Sequence, residues 1–180
     1  MIEIIVGTNR PGANSRKVAA QILEIFKRQG TEAAILDLAE LPAEIFDPSS
    51  YGEKPASFAK FSERVLKADG LLIVSPEYNG AVPGILKYFI DMLKFPESFE
   101  SKPVAFVGVA AGIWGALRPI EHLQQIFGYR NAFIYPVRVF IPGVFNEIDA
   151  NGKLKSAEIT ARLVDQARGF AEFAAHFSKK

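Results

Sequence analysis

Apolar residues along the chain follow two alternating patterns. Short runs that are apolar almost throughout predict buried β-strands at residues 2–6, 33–38, 71–74, 104–109 and 133–139. Between them, apolar residues spaced three or four apart predict helices, as Val18, Ile22 and Phe26 do after the first strand. Strands without polar alternation are typical of a parallel sheet covered by helices on both faces.

Five strands that alternate with helices predict an α/β fold. Right-handed crossovers turn this order into an open, doubly wound sheet of the flavodoxin type, a three-layer α/β/α sandwich. The predicted sheet has five parallel strands in the order 2-1-3-4-5, in a single domain over residues 1–180. Pro136, inside the fifth run, favours an edge position or a bulge for that strand.

The remaining elements follow from spacing and turn residues. Further helical faces are predicted by Phe58, Phe61 and Val65, by Leu117, Ile120, Gln124 and Phe127, and by Ile159, Leu163, Phe170, Ala174 and Phe177. Gly128 is the expected C-cap of the second of these helices. Residues 41–55, which are rich in Pro, Ser, Gly and Asp, predict a long surface loop.

Composition narrows the class of protein. A chain of 180 residues with a formal net charge of +1 offers no basic stripe for nucleic acid. The absence of cysteine excludes disulfides, thiolate catalysis and thiolate metal sites. No apolar stretch approaches the roughly 18 residues of a membrane span, and the chain opens directly on a strand without a charged and apolar leader. We therefore expect a cytoplasmic protein that binds neither nucleic acid nor membrane.

The loop after the first strand has the residues of a phosphate site. Ligands of such sheets bind at the carboxyl ends of the strands, where the strand order reverses. Residues 7–17 offer hydroxyls at Thr8 and Ser15, an amide at Asn14, charge at Arg10 or Arg16, and free N–H groups at a helix start. The loop lacks the spacing of dinucleotide and triphosphate-binding loops, which favours a monophosphate. An ordinary loop in which Asn14 or Ser15 only caps the helix is the alternative.

The loop after the third strand, residues 75–80, has the residues of a planar-ligand site. Pro76 directs the exit from the strand and Gly80 permits close approach of a ligand, while Tyr78 offers a flat face and Asn79 an amide for a heterocycle edge. Glu77 is interpreted as a carboxylate that orients the loop. The alternative is a helix start beside a surface tyrosine.

The loop after the fourth strand, residues 110–118, is built of small residues and can pass close to a planar ring. It contains Trp114, the single tryptophan of the chain, which lines either the mouth of the ligand site or a subunit interface.

The sequence lacks the residue patterns of metal sites, serine-nucleophile sites and receiver domains. His122 and His176 stand alone on helices without partners at metal-ligand spacing, so no metal site is expected. No Gly-x-Ser-x-Gly motif is present, and the acidic positions of a receiver domain hold other residues. Redox chemistry carried by a bound cofactor is the remaining inference.

Three segments resemble the NADPH-dependent FMN reductase family, which includes azoreductases, quinone reductases and chromate reductases. They are "GTNRPGANSRKVA", "LLIVSPEYNGAVPGILKYFIDML" and the glycine-containing loop before "LRPIEHL". The resemblance implies a flavodoxin-like fold with non-covalent FMN. It implies a phosphate site at Thr8, Arg10, Asn14, Ser15 and Arg16, and a flavin ring along Pro76, Glu77, Tyr78 and Asn79, with clearance at Gly80.

The third loop departs from the family pattern. It has Ala110 and Ala111 where relatives often carry Ser or Thr, and a single Gly115 followed by Ala116 where they have paired glycines. Contacts to the pyrimidine edge of the ring are then left to the backbone of this loop, which contains Gly112 and Gly115.

The resemblance also implies an activity. NADPH or NADH delivers hydride to bound FMN, and a small acceptor (a quinone, an azo compound, free flavin or a metal ion) then takes it, with no catalytic side chain required. A homodimer or homotetramer is implied. A flavodoxin-type electron carrier and a cofactor-free binding module are the alternatives, although the balanced charge is unlike that of an acidic carrier.

Overall fold

The protein folds around one parallel sheet. The structure, a computed structural model, describes residues 1–178, so the last two positions of the predicted domain 1–180 lie outside the described residues. The strands are β1 Ile2–Val6, β2 Ala33–Asp37, β3 Gly70–Pro76, β4 Pro103–Val109, β5 Phe133–Ile134 and β6 Val139–Ile141. Their order is β2-β1-β3-β4-β5, with β6 also paired to β4, and every pairing is parallel. The predicted strand order is confirmed, and a sixth strand is added to it.

Helices cover both faces of the sheet, as fully apolar strands require. They are α1 Asn14–Arg28, α2 Ala59–Lys67, α3 Gly84–Met92, α4 Leu117–Tyr129, α5 Val144–Glu147 and α6 Ala157–Ser178. Buried residues of α1, α5 and α6 form one apolar cluster with the sheet, and those of α2, α3 and α4 form a second. The three-layer flavodoxin-type architecture is thereby confirmed. Within residues 1–178, none of the helices is both long and apolar enough to cross a membrane.

The prediction of one continuous fifth strand at 133–139 is wrong. The chain pairs with β4 as β5, leaves the sheet, and pairs with β4 again as β6, and Pro136 lies in the break. Proline has no N–H to donate to the ladder, which explains a break at this edge of the sheet. Gln166 of α6 lies behind the break and donates 2.9 Å hydrogen bonds to the carbonyls of Phe106 and Val137.

Two further expectations are corrected. Helix α4 continues through Gly128 to Tyr129, and the residue with positive φ that follows it is Asn131. The predicted loop at 41–55 is organised as short 3-10 turns at Ala43–Phe46 and Pro48–Tyr51, between similar turns at Leu38–Glu40 and Ala56–Phe58. The segment is ordered because Ile45 is fully buried and its carbonyl accepts a 2.5 Å hydrogen bond from the Tyr88 hydroxyl.

Two cations tie helix α2 to the sheet. Arg64 donates to both carboxylate oxygens of Glu3, at 3.0 and 2.5 Å, and Glu3 is fully buried on β1. Lys102, just before β4, donates to the carbonyls of Leu66 (3.2 Å) and Ala68 (2.5 Å) at the end of α2. Burial lowers the pKa of the Lys102 ammonium from its ordinary value.

Candidate functional site

A cavity of about 460 Å³ opens at the carboxyl edge of the sheet. It is lined by residues 10–15 and 17 after β1, 76–78 after β3, 109–111 after β4, and 144 and 145 on α5, and we call it the edge cavity. The three loops that the sequence singles out meet here, because the carboxyl ends of parallel strands share one edge of the sheet. Its volume lies within the range of small-molecule and cofactor sites.

The start of helix α1 forms the polar end of the edge cavity. The N-cap is Ala13, whose methyl group cannot cap, and no side chain accepts from the first turn. Ser15 is 1% exposed, and its Oγ has no hydrogen-bond partner in the described part of the chain. The alternative in which Asn14 or Ser15 serves only as a cap is therefore wrong. Uncapped N–H groups and a buried free hydroxyl are the features of an anion site.

The two arginines of this loop differ in their surroundings. Arg10 is exposed and lines the edge cavity. Arg16 lies outside the lining and forms an ion pair with the largely buried carboxylate of Asp37 at the end of β2. Lys17, which sequence reasoning did not single out, lines the cavity beside Arg10. The cations available at the polar end are therefore Arg10 and Lys17, whereas Arg16 is already paired.

Thr8 and Tyr78 connect the loop after β1 to the loop after β3. Thr8 is fully buried outside the cavity lining, and its Oγ1 lies 2.8 Å from the Tyr78 hydroxyl. The same Oγ1 accepts a hydrogen bond from the Arg10 N–H at 3.2 Å. Tyr78 lines the cavity together with Pro76 and Glu77, and Glu77 donates its N–H to Val109 of β4 at 3.2 Å. The hydroxyl of Tyr78 is thus fixed by its hydrogen bond with Thr8, unlike that of a free surface tyrosine.

Asn79 and Gly80 form a tight turn. Tyr78 and Ala81 exchange backbone hydrogen bonds of 3.1 and 3.0 Å across these two residues. Both central residues have positive φ, +52° at Asn79 and +73° at Gly80, as a type I′ turn demands. Neither residue lines the edge cavity, and the type I′ turn gives this Asn-Gly pair a structural role.

The fourth-strand loop contributes Ala110 and Ala111 to the cavity, while its glycines have other surroundings. Gly112 lies just beyond the lining and is exposed. Gly115 is buried with φ +58°, and a Cβ there would lie 2.9 Å from the Cβ of Phe140. It is therefore a packing position against β6.

Trp114 does not line the edge cavity. It is 68% exposed and borders a separate groove with Phe140, at the start of α6. Of the two interpretations of this residue, the structure does not favour the mouth of the ligand site.

Helix α5 supplies two lining residues that the sequence reasoning missed, Val144 and Phe145. The backbone N–H of Val144 donates to Ala110 at 3.0 Å and so attaches the helix to the end of β4. The topology indicates that these residues can line the cavity, since the segment after the last strand also emerges at the carboxyl edge of the sheet.

Comparison with solved structures shows the class of fold. The NAD(P)H:(acceptor) oxidoreductase FerB from Paracoccus denitrificans superposes with a TM-score of 0.79 at 20% identity, over 97% of this chain and 97% of that one. A flavodoxin from the domain Archaea superposes with a TM-score of 0.65 at 14% identity, over 98% and 100% of the two chains. The protein is thus flavodoxin-like in its fold.

Comparison of sequences shows the family. Residues 1–146 match the profile of the NADPH-dependent FMN reductase family. The quinone reductase of Escherichia coli (strain K12) is 31% identical over 173 residues, which cover 94% of this chain and 92% of that protein. The FMN-dependent NADPH-azoreductase of Staphylococcus aureus (strain USA300) is 34% identical over 127 residues, 68% of this chain and 66% of its own.

The chain belongs to the NADPH-dependent FMN reductase family. It is accordingly an NAD(P)H-dependent oxidoreductase that uses FMN, and the predicted family, enzyme class and cofactors are confirmed.

Proposed function

We propose that FMN binds in the edge cavity with its phosphate at the start of α1. The observation that carries the proposal is the Ser15 hydroxyl, which is buried, lines the cavity and has no partner among the described residues. Buried polar groups are nearly always hydrogen-bonded, so this hydroxyl, beside the uncapped start of α1, is suited to a hydrogen-bonding ligand. A phosphate there would accept from Ser15 and the uncapped N–H groups, with Arg10 and Lys17 as its cations.

The flavin ring would then lie toward the residues after β3 and β4. Tyr78 and Pro76 offer flat and apolar surface, with Val109 and Ala110 on the neighbouring strand. The N–H of Ala110 donates to Ile141 at 3.1 Å, whereas the N–H of Ala111 has no partner within residues 1–178. Because neither alanine carries a polar side chain, the Ala111 N–H is the donor we assign to the edge of the ring.

The chain supplies binding and position, and the cofactor supplies the redox chemistry. Bound FMN would supply the chemistry of accepting hydride from a nicotinamide and reducing an acceptor by two electrons. The protein residues hold the phosphate, orient the ring through Tyr78, and leave the cavity mouth open for a second small molecule. We propose a quinone or an azo compound as that acceptor, because the relatives named above are a quinone reductase and an azoreductase.

An absorbance spectrum followed by an anaerobic titration tests this function. The purified protein, supplied with FMN, should show flavin bands that NADPH or NADH bleaches, and a quinone such as menadione should restore them. A protein that takes up no FMN would refute the cofactor site. Bound FMN that nicotinamides cannot reduce would instead favour an electron carrier.

We also propose a cytoplasmic homodimer or homotetramer, as the family resemblance implies. The described surface carries exposed aromatic side chains, among them Phe46 and Tyr51, which pack around Tyr88 with ring centroids 5.2 and 5.8 Å away. Exposed apolar clusters of this kind often mark contact surfaces. Light scattering of the holoprotein should give a mass above that of one chain, and a monomer would refute the assembly.

A further inference from the structure

Phe145 is a large apolar side chain of the edge cavity that stays exposed. Val109, Ala110 and Val144 are each at most 7% exposed, whereas Phe145 is 73% exposed at the rim. A phenylalanine ring loses much favourable burial when it stays in water. The ring therefore adds little to the core, although it lines the edge cavity.

The backbone beneath Phe145 is firmly attached. Gly143 accepts hydrogen bonds from Asn146 (2.8 Å) and Glu147 (3.2 Å), which close the turn around the phenylalanine. The Glu147 carboxylate accepts a 2.5 Å hydrogen bond from the N–H of Ser156, just before α6. With Val144 buried and its N–H bonded to Ala110 as well, the backbone that carries Phe145 is fixed by the fold on both sides.

We propose that Phe145 is a specificity-determining residue, on whose ring a planar aromatic acceptor stacks at the mouth of the edge cavity. The proposal rests on the function proposed above. A flat acceptor gains from offset or edge contacts with a phenylalanine ring, whereas a compact inorganic acceptor presents no face to stack. The protein then selects quinones and azo compounds over small inorganic anions.

The reaction that this subsite serves balances without a further reactant. NADPH and one proton reduce a quinone to its hydroquinone with release of NADP⁺, and two ferricyanide ions consume the same two electrons. Menadione and ferricyanide are therefore matched probes, one planar and aromatic and the other octahedral and anionic. They share the reductive half of the cycle and differ only in the acceptor.

Steady-state kinetics of the FMN-loaded Phe145→Ala variant test the proposal. Loss of a stacking contact should lower kcat/KM for menadione about ten-fold, mostly through KM, while the rate with ferricyanide falls far less. Phe145→Trp should keep kcat/KM for menadione near the wild-type value. Phe145→Leu, which keeps apolar area without a ring, should give a value between those of Phe145→Ala and the wild type. The control is Tyr129→Ala on α4, also an exposed aromatic but outside the cavity lining, which should leave both acceptors unaffected.

Several outcomes would overturn the assignment. An equal loss with both acceptors, full rescue in Phe145→Leu, or an unchanged KM for menadione would each do so. A weaker Kd for FMN in Phe145→Ala would assign the ring to the cofactor, which removes this inference and leaves the proposed function standing. Failure of NADPH to reduce the wild-type flavin would refute the proposed function itself, and is seen before any acceptor is added.

Discussion

Replacing Ser15 by alanine should change stability and cofactor affinity in opposite directions. Ser15 is almost completely buried, and its Oγ has no partner within residues 1–178. A buried unpaired polar group costs about 1–3 kcal/mol. In the absence of FMN, Ser15→Ala removes that cost and leaves one small void, so the free energy of unfolding should rise by about 1 kcal/mol.

The same hydroxyl should stabilise the complex with FMN. A hydrogen bond to a charged group contributes about 1.5–3 kcal/mol, which corresponds to a roughly 10- to 150-fold weaker Kd when it is lost. The variant should thus be the more stable protein without cofactor and the weaker binder of FMN. A residue that only fills space at the start of α1 would not give this pair of effects.

Urea unfolding of the cofactor-free protein and quenching of FMN fluorescence measure the two quantities. Ser62 on α2 is the matched control, since it is 8% exposed, its Oγ is also unpaired in the described structure, and it lies outside the edge cavity. Ser62→Ala should raise stability similarly and leave the Kd for FMN unchanged. An unchanged Kd in Ser15→Ala would refute the phosphate assignment, and a less stable cofactor-free variant would refute the reasoning about its hydroxyl.

Three further predictions concern the scaffold. Gly115→Ala should cost at least about 2 kcal/mol of unfolding free energy, because the positive φ and the close neighbours of Gly115 both oppose a Cβ. Gly112→Ala, where a Cβ would meet nothing within 4 Å, should cost little, and equal effects of the two substitutions in thermal unfolding would contradict this. Arg64→Met should cost about 3–5 kcal/mol by leaving the buried Glu3 carboxylate unpaired, and a urea-derived loss below about 1 kcal/mol would be inconsistent with a buried ion pair. Burial lowers the pKa of Lys102, so the unfolded chain holds that proton more tightly than the folded one. The unfolding free energy of the wild type should therefore rise relative to that of Lys102→Met as the pH increases toward 10.5, and a difference in unfolding free energy that does not vary with pH would exclude the shift.

The internal strands could be predicted because their burial leaves a clear pattern. Strands β1, β3 and β4 are buried at every position, and a short apolar run bounded by loops is typical of a strand covered on both faces. The two-part edge strand could not be predicted in detail. Pro136 indicates that pairing fails somewhere, but where pairing resumes depends on Gln166, 30 residues farther along the chain, which occupies the gap.

The site was only partly predictable because one residue type suits several tasks. The place of Ser15 in the cavity lining could be predicted from the loop chemistry, since a hydroxyl at a helix start has few uses besides capping and anion binding. An Asn-Gly pair, by contrast, suits a type I′ turn as well as a ligand loop, and the residue types alone do not reveal that these two form such a turn outside the cavity lining. Phe145 was missed because an apolar residue near a strand end is expected in the core, and its exposure follows only from tertiary structure.

The break in the edge strand is what brings helix α5 to the cavity. Val139 lies six positions after Phe133, whereas their partners Pro103 and Val107 on β4 are four positions apart, so two residues are looped out of the sheet. An even number keeps side chains on their original faces, because the side-chain period of a strand is two. Without the loop, Val139 would pair two residues farther along β4, and α5 would start about 7 Å beyond its present position. It would then lose its hydrogen bond to Ala110, and the ring of Phe145 would stand clear of the cavity mouth. A proline that weakens the sheet at its edge is therefore, through this register, a condition for the acceptor subsite.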